Sequence, residues 1–244
     1  IAGLELHLRP ATSYMATAPG LVQSGGGPDE ARNSMAALSL TDRLFDDADT
    51  SPIDPCSLFE DWFAEAKLSE PNDPHAMAFA SVDADGMPDV RMVLLNARDH
   101  RGYCFFTNLE SDKARQLLAN PQGAFVMHWK SLRRQIRVRG PVERVDDGEA
   151  DTYFATRGRA SQIGAHASRQ SRPLANRYAL LERVETLSKS FGTDSVNRPA
   201  NWSGFRTVPM SMEFWKDGAN RLHDRVRFTR SAVDQPWTRQ RLYP

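Results

Sequence analysis

The chain has 244 residues, 40% of them apolar, with 31 basic and 31 acidic side chains and a formal net charge of zero. The length fits one large domain or two small ones, and the balanced charge excludes a global field that would gather nucleic acid or an acidic membrane. Two cysteines, Cys56 and Cys104, imply no disulfide framework and read as reduced thiols of a cytoplasmic protein, while no apolar run approaches the roughly 18 residues of a membrane span.

Residues 1–50 lack sustained periodicity and contain "SGGGPDEARNS" and "LFDDADTS", so they read as a mobile N-terminal extension in which Met35 is a candidate native start. Residues 51–244 read as one domain. Its first element is a helix: Leu58, Phe59, Trp62, Phe63 and Ala66 recur at helical spacing after a cap at Asp54 and a proline at the first turn. "AMAFASVD", the turn "ADG" and "MPDVRMVLLN" form a hairpin, and "GYCFFTN" a third strand. "SDKARQLLANP" is a short helix with Ser111 at its N-cap and Pro121 as its stop. A strand pair follows in "GAFVMHW" and "RRQIRVRGPVERV", then three helical segments, then closing strands in "GFRTVPMSMEFWKD", "NRLHDRVRF" and "TRQRLYP". A strand meander, a helical insertion and closing strands predict an α+β fold, an antiparallel barrel with helices packed outside.

Strand alternation sets Arg221, His223 and Arg225 on one face of "NRLHDRVRF", with Leu222, Asp224 and Val226 on the other. It sets Arg133, Gln135, Arg137 and Arg139 together in "RRQIRVRG", and separates Arg91, Val93 and Leu95 from Met92, Leu94 and Asn96 in "RMVLLN". The helix start at "TNLESDKAR" offers free backbone N–H groups beside Lys113, an arrangement suited to phosphate. Taken singly, each has an ordinary reading: alternate arginines form a solvated face, and a lone histidine is structural. No metal-ligand spacing, Rossmann or P-loop glycine pattern, or Gly-x-Ser-x-Gly elbow is present. The residues alone describe a site for something anionic.

"RMVLL", "FFTNLES.KA", "HWKSLRRQIRVRGPVE", "YFATR.R.SQIGA..S.QS", "W.GFR", "EFW" and "RLHDR" occur in order over about 190 residues. Together they resemble the pyridoxine/pyridoxamine 5′-phosphate oxidase family. The resemblance implies an FMN-binding split barrel, a homodimer with FMN at the subunit interface, and oxidation of pyridoxine or pyridoxamine 5′-phosphate to pyridoxal 5′-phosphate by O2. It implies flavin contacts from Arg91, Met92, Val93, Leu94, Leu95, Asn96, Phe106, Thr107, Asp112 and Lys113, and from Gln135, Gln170, Ser171, Trp215 and Arg225. Asn96, Tyr153, Arg157 and Ser161 would bind the substrate's phosphate. Arg221 and His223, the implied catalytic pair, would lie over its ring together with Leu222. Tyr153, Arg157 and Ser161 stand at successive four-residue steps, which would converge on one helical face.

Three positions depart from the family pattern. Asn96 stands where lysine is usual, Asp112 where arginine is usual, and Gly158 where proline is usual. These changes predict weakened binding of flavin and phosphate. They leave open two other readings: a flavin oxidase of the same fold with a shifted substrate, or a non-catalytic protein that binds FMN or pyridoxal phosphate.

Overall fold

The computed structural model describes residues 39–244. The elements in chain order are α1 (Leu40–Phe45), α2 (Pro55–Ser69), β1 (Ala76–Val82), β2 (Pro88–Leu94), β3 (Ala97–Asp99), β4 (Gly102–Asn108), α3 (Asp112–Ala119), β5 (Gln122–Trp129) and β6 (Arg134–Arg144). Then come α4 (Asp147–Ala155), α5 (Arg159–Ala167), α6 (Arg177–Phe191), β7 (Trp202–Thr207), β8 (Ser211–Lys216), a 3₁₀ turn at Ala219–Arg221, β9 (Asp224–Thr229) and β10 (Thr238–Leu242).

Every strand pairing is antiparallel. The main path runs β10-β9-β8-β6-β5-β1-β2, and a wing of β3, β4 and β7 joins it at β6. The eleven-residue β6 makes this possible. Its first half pairs with β5 and β8, and its far end, Val142 to Arg144, pairs with β7. One long strand shared by two segments of sheet is what splits the barrel, the split form that the resemblance implies.

The interior is aromatic. Phe59, Trp62, Phe79, Phe105, Phe214 and Phe228 are fully or almost fully buried. Helix α2 closes over this core as its apolar spacing requires: Trp62 meets Phe214 edge-on at 5.2 Å between ring centres, and Phe59 meets Tyr103 at 4.6 Å. Asp54 accepts from the backbone N–H groups of Cys56 and Ser57, so the predicted cap is in place.

Three local expectations are corrected. Residues 39–50, expected in the mobile extension, fold as α1 and its connection. Leu44 is fully buried, and the Trp62 Nε1–H donates to Thr41 Oγ1 at 2.8 Å. The remainder of the expected extension, residues 1–38, lies outside the described residues. "NRLHDRVRF" is not one strand either, because Asn220 and Arg221 take φ of 55° and 64°. Left-handed backbone cannot sustain strand alternation, so β9 begins only at Asp224, and Arg221 is exposed in the turn. Finally, Tyr153, Arg157 and Ser161 do not share a helix. Helix α4 ends at Ala155 and α5 starts at Arg159, with Gly158 as its N-cap.

Among the described residues no helix is long and apolar enough to cross a membrane. No group of three or more His, Cys, Asp or Glu among them could hold a metal ion.

Candidate active site

A cleft of about 360 Å³ opens where β2, β4, α3 and the α4–α5 turn meet. Its walls are Met92, Val93 and Leu94 of β2, Asn96, Phe106 and Thr107, Lys113 of α3, Tyr153, Arg157, Gln170 and Trp202. Ten of these eleven are residues that the resemblance assigns to flavin or substrate. Trp202 is the eleventh, and it sits in the quoted "W.GFR" segment without an expected role.

The cleft has an aromatic wall. Phe106 stacks on Tyr153 at 4.1 Å and on Trp202 at 5.3 Å, both with an interplanar angle of 9°. Phe106 pairs across the sheet with Gly204. A Cβ at Gly204 would stand 2.7 Å from the Phe106 ring, so only glycine leaves that ring room to lie flat.

Two cations face this cleft without a carboxylate at ion-pair distance among the described residues. Lys113 Nζ donates to Gln170 Oε1 at 2.9 Å and to Thr107 Oγ1 at 3.2 Å, neutral oxygens that satisfy its N–H groups without neutralising it. Burial, reinforced by the nearby Arg91, pulls its pKa below the ordinary lysine value. The Arg157 guanidinium lies 4.9 Å from the centre of the Trp202 ring. Its Nη1 is buried and has no hydrogen-bond partner among the described residues. Burial likewise lowers its pKa and raises that of the neighbouring Tyr153 hydroxyl. A half-buried cation with an unused donor is costly in the empty protein, and an arriving anion offsets that cost. Planar guanidinium, ammonium and hydroxyl donors match phosphate oxygens.

The cleft omits other expected residues. Arg91 turns its guanidinium to Ser81 Oγ at 2.6 Å and Gln116 Oε1 at 3.0 Å, and pairs with Asp89. Leu95 is in the core at 5% exposure. Ser161 is exposed on α5. Ser171, at φ 67°, accepts from the Asp112 N–H at 3.2 Å. The Asp112 carboxylate pairs with Arg115 and does not line the cleft, although its charge still reaches Lys113. Asn96 spends its Oδ1 on the Phe106 N–H at 3.2 Å, so this departure fastens β4 rather than supplying charge. Ser111, expected as the α3 cap, makes no side-chain capping bond; its hydroxyl donates to Asn108 O at 2.7 Å.

A second group of expected residues gathers elsewhere. Gln135, Trp215 and Arg225 stand in register across β6, β8 and β9. Arg225 is held by Glu213 Oε1, at 3.0 Å from Nε and 2.9 Å from Nη2, and by Tyr243 O at 2.9 Å. Past the end of β8, His223 packs its ring 4.7 Å from that of Trp215 and sets Nδ1 3.1 Å from Asp217 Oδ1. Arg221 and Leu222 stand exposed beside it. None of these residues lines the cleft. Four strand steps separate β2 from β8 along the sheet, roughly 19 Å at the usual strand spacing. One chain therefore carries the expected residues in two separate groups.

Comparison with known proteins gives this arrangement its relatives. Residues 63–190 match the family described as pyridoxamine 5′-phosphate oxidase, and residues 202–244 match the pyridoxine 5′-phosphate oxidase C-terminal dimerisation region. A pyridoxine/pyridoxamine 5′-phosphate oxidase of Nitrobacter winogradskyi is 53% identical over 212 residues, covering 87% of this chain and all of that protein. One of Azorhizobium caulinodans is 57% identical over 195 residues, covering 80% of this chain and 92% of that protein. Among solved structures, PhzG from Burkholderia lata, in complex with tetrahydrophenazine-1-carboxylic acid, superposes with a TM-score of 0.75 at 29% identity, covering 80% of this chain and 95% of that one. A pyridoxamine 5′-phosphate oxidase-related, FMN-binding protein of Nostoc punctiforme shares the fold, with a TM-score of 0.65 at 15% identity over 80% of this chain and all of that one. The chain belongs to the pyridoxine/pyridoxamine 5′-phosphate oxidase family.

Proposed function

We propose that the protein oxidises pyridoxine or pyridoxamine 5′-phosphate to pyridoxal 5′-phosphate, with FMN as cofactor and O2 as acceptor, in a homodimer. The observation that carries this reading is a pair of cations without a carboxylate partner among the described residues, Lys113 and Arg157, in a cleft with a stacked aromatic wall. That donor set fits phosphorylated ligands. Lys113, Thr107 and Gln170 at the start of α3 would hold the phosphate end of FMN. Arg157 and the Tyr153 hydroxyl would take the phosphate of the substrate.

The chemistry that a bound FMN supplies is acceptance of a hydride from the substrate C4′ carbon and delivery of the electrons to O2. The chain's own residues do the rest by positioning and charge. Phosphate contacts fix the substrate at one end. The Arg221 and His223 corner would orient the pyridine ring at the other, with the imidazole placed to hold the proton that leaves the C4′ hydroxyl or amine. The two groups of residues stand apart on one chain, so the corner of one protomer would complete the cleft of its partner.

The test is an anaerobic titration. The protein is loaded with FMN, freed of excess flavin, mixed with pyridoxine 5′-phosphate and followed by visible absorbance. Bleaching that reverses on admission of air is the expected result. Retained flavin that does not bleach would point to another substrate, and loss of all flavin on desalting would leave only a phosphate-binding protein.

A further inference from the structure

We infer that Asp217 is the positioning residue of His223, its carboxylate taking the Nδ1–H and leaving Nε2 as the proton-accepting nitrogen. What that nitrogen then does rests on the function proposed above; the pairing itself does not.

The His223 Nδ1 has two neighbours with opposite demands. Asp217 Oδ1 lies 3.1 Å away, at ion-pair distance though off the line of a hydrogen bond, and a carboxylate so close favours a proton on Nδ1. The Gly218 backbone N–H lies 3.2 Å away and needs a lone pair there. A neutral imidazole carries one ring proton, so these bonds exclude each other and the choice sets the tautomer. The Gly218 N–H bond is the one formed in this structure, but a small rotation of the imidazole turns the carboxylate contact into a charge-assisted bond, about twice as strong as the neutral one. Asp217 is only 16% exposed and His223 23%, which limits solvent screening of that bond. Arg133 pairs with the other carboxylate oxygen, Oδ2, and aims the Asp217 side chain.

The loop is shaped around this contact. Asp217 donates its backbone N–H to Arg133 O at 3.0 Å, which fixes the base of the loop to the β5–β6 turn. Lys216 and Asp224 pair as the last rung between β8 and β9. A Cβ at Gly218 would stand 2.0 Å from Leu222 O, so the chain closes over a glycine. The return is made through Asn220 and Arg221 in left-handed backbone, a strained conformation that persists only where the surroundings enforce it. The Trp215 ring packs on the imidazole. The ring is thus held by tilted packing on Trp215 and at Nδ1, and Nε2 makes no hydrogen bond among the described residues.

The test reads the tautomer directly. Histidine ring nitrogens are followed by long-range proton–nitrogen NMR in the full chain, well above the ordinary imidazole pKa of about 6.5, with His223→Gln used to identify the signals. Wild-type His223 is expected to carry its proton on Nδ1. In Asp217→Ala the proton is expected to move to Nε2, with Nδ1 accepting from Gly218. Asp217→Asn, which keeps the volume, reads the same change if the alanine variant does not fold. In flavin-loaded enzyme either variant should lower kcat on the order of a hundredfold, the low end for a lost proton acceptor, with KM for the phosphorylated substrate unchanged. A wild-type proton on Nε2, or a tautomer indifferent to the substitution, overturns the inference. A tautomer that shifts as described in a protein that never bleaches its flavin overturns the proposed function and leaves the Asp217–His223 pair standing.

Discussion

The cleft and the β8–β9 corner treat their cations in opposite ways. In the corner Arg225 is matched by Glu213 and Arg133 by Asp217, which also faces the His223 ring, whereas Arg221 stands out in solvent. In the cleft, Lys113 rests on neutral oxygens, and Arg157 leaves a buried nitrogen without any bond. The difference separates two uses of charge. Paired charge fixes geometry inside one chain, whereas unpaired charge stores affinity for an anion that comes from outside.

The largest effect should come from breaking the paired side. Arg225→Ala strands the Glu213 carboxylate at 7% exposure, with Arg137 Nη1 remaining at 3.5 Å as a weaker partner. Chemical denaturation should show a loss of about 3 kcal/mol, the low end for an orphaned buried charge. Arg157→Met should do the reverse. Removing a buried cation that has no partner leaves the stability of the flavin-free protein unchanged or slightly raised, while the KM for pyridoxine 5′-phosphate rises about tenfold to a hundredfold, the loss of a charge-assisted bond of about 1.5–3 kcal/mol. If Arg157→Met were as destabilising as Arg225→Ala, the contrast between the two regions would collapse. Lys113→Met should raise the dissociation constant of FMN by about tenfold at neutral pH. Because burial has already lowered the Lys113 pKa, the ammonium is lost at a lower pH than in a free lysine. The flavin affinities of wild type and variant should therefore converge as the pH rises into the alkaline range, as a fluorescence titration across pH would reveal. The smallest effect belongs to Gly158→Ala. At φ −57° and ψ 142°, with nothing within 4 Å of a new Cβ, alanine fits and restricts the unfolded chain, but it is a poorer N-cap for α5 than glycine; the two effects offset, and a net change within about 0.5 kcal/mol is expected by chemical denaturation.

Much of the frame was legible in the sequence because its signals are local. The Asp54 cap, the Pro55 start and the apolar spacing of α2 lie within a few residues of one another, and the hairpin turn ends on Gly86, which has a φ of 83°. The site was legible only in part. Alternation carried "NRLHDRVRF" through as a strand because nothing in the residue types declares that Arg221 takes a left-handed conformation. Asn220, a residue that tolerates that region, was the one available hint. The break between Tyr153 and Ser161 had its signal in Gly158, but four-residue spacing suggested a continuous helix. The Phe106–Tyr153–Trp202 stack and the Asp217–His223 contact depend on how distant or looping segments close in space. Neither leaves a mark that composition or period could reveal.

The lashing of α1 to the far end of the chain has a mechanical consequence. Arg239 on β10 gathers the carbonyl oxygens of Leu44 at 2.5 Å and Asp49 at 3.0 Å, and Arg241 takes that of Phe45 at 2.7 Å. Strand β10 in turn pairs with β9 through Leu242 and Arg225. The first and last described segments thus form a buckle, and tension on one is transmitted to the strand that anchors the other. A protease cut near residue 48 would unclasp β10 as well as α1, so a nick more than 170 positions from Arg225 in the sequence would loosen the strand that carries it.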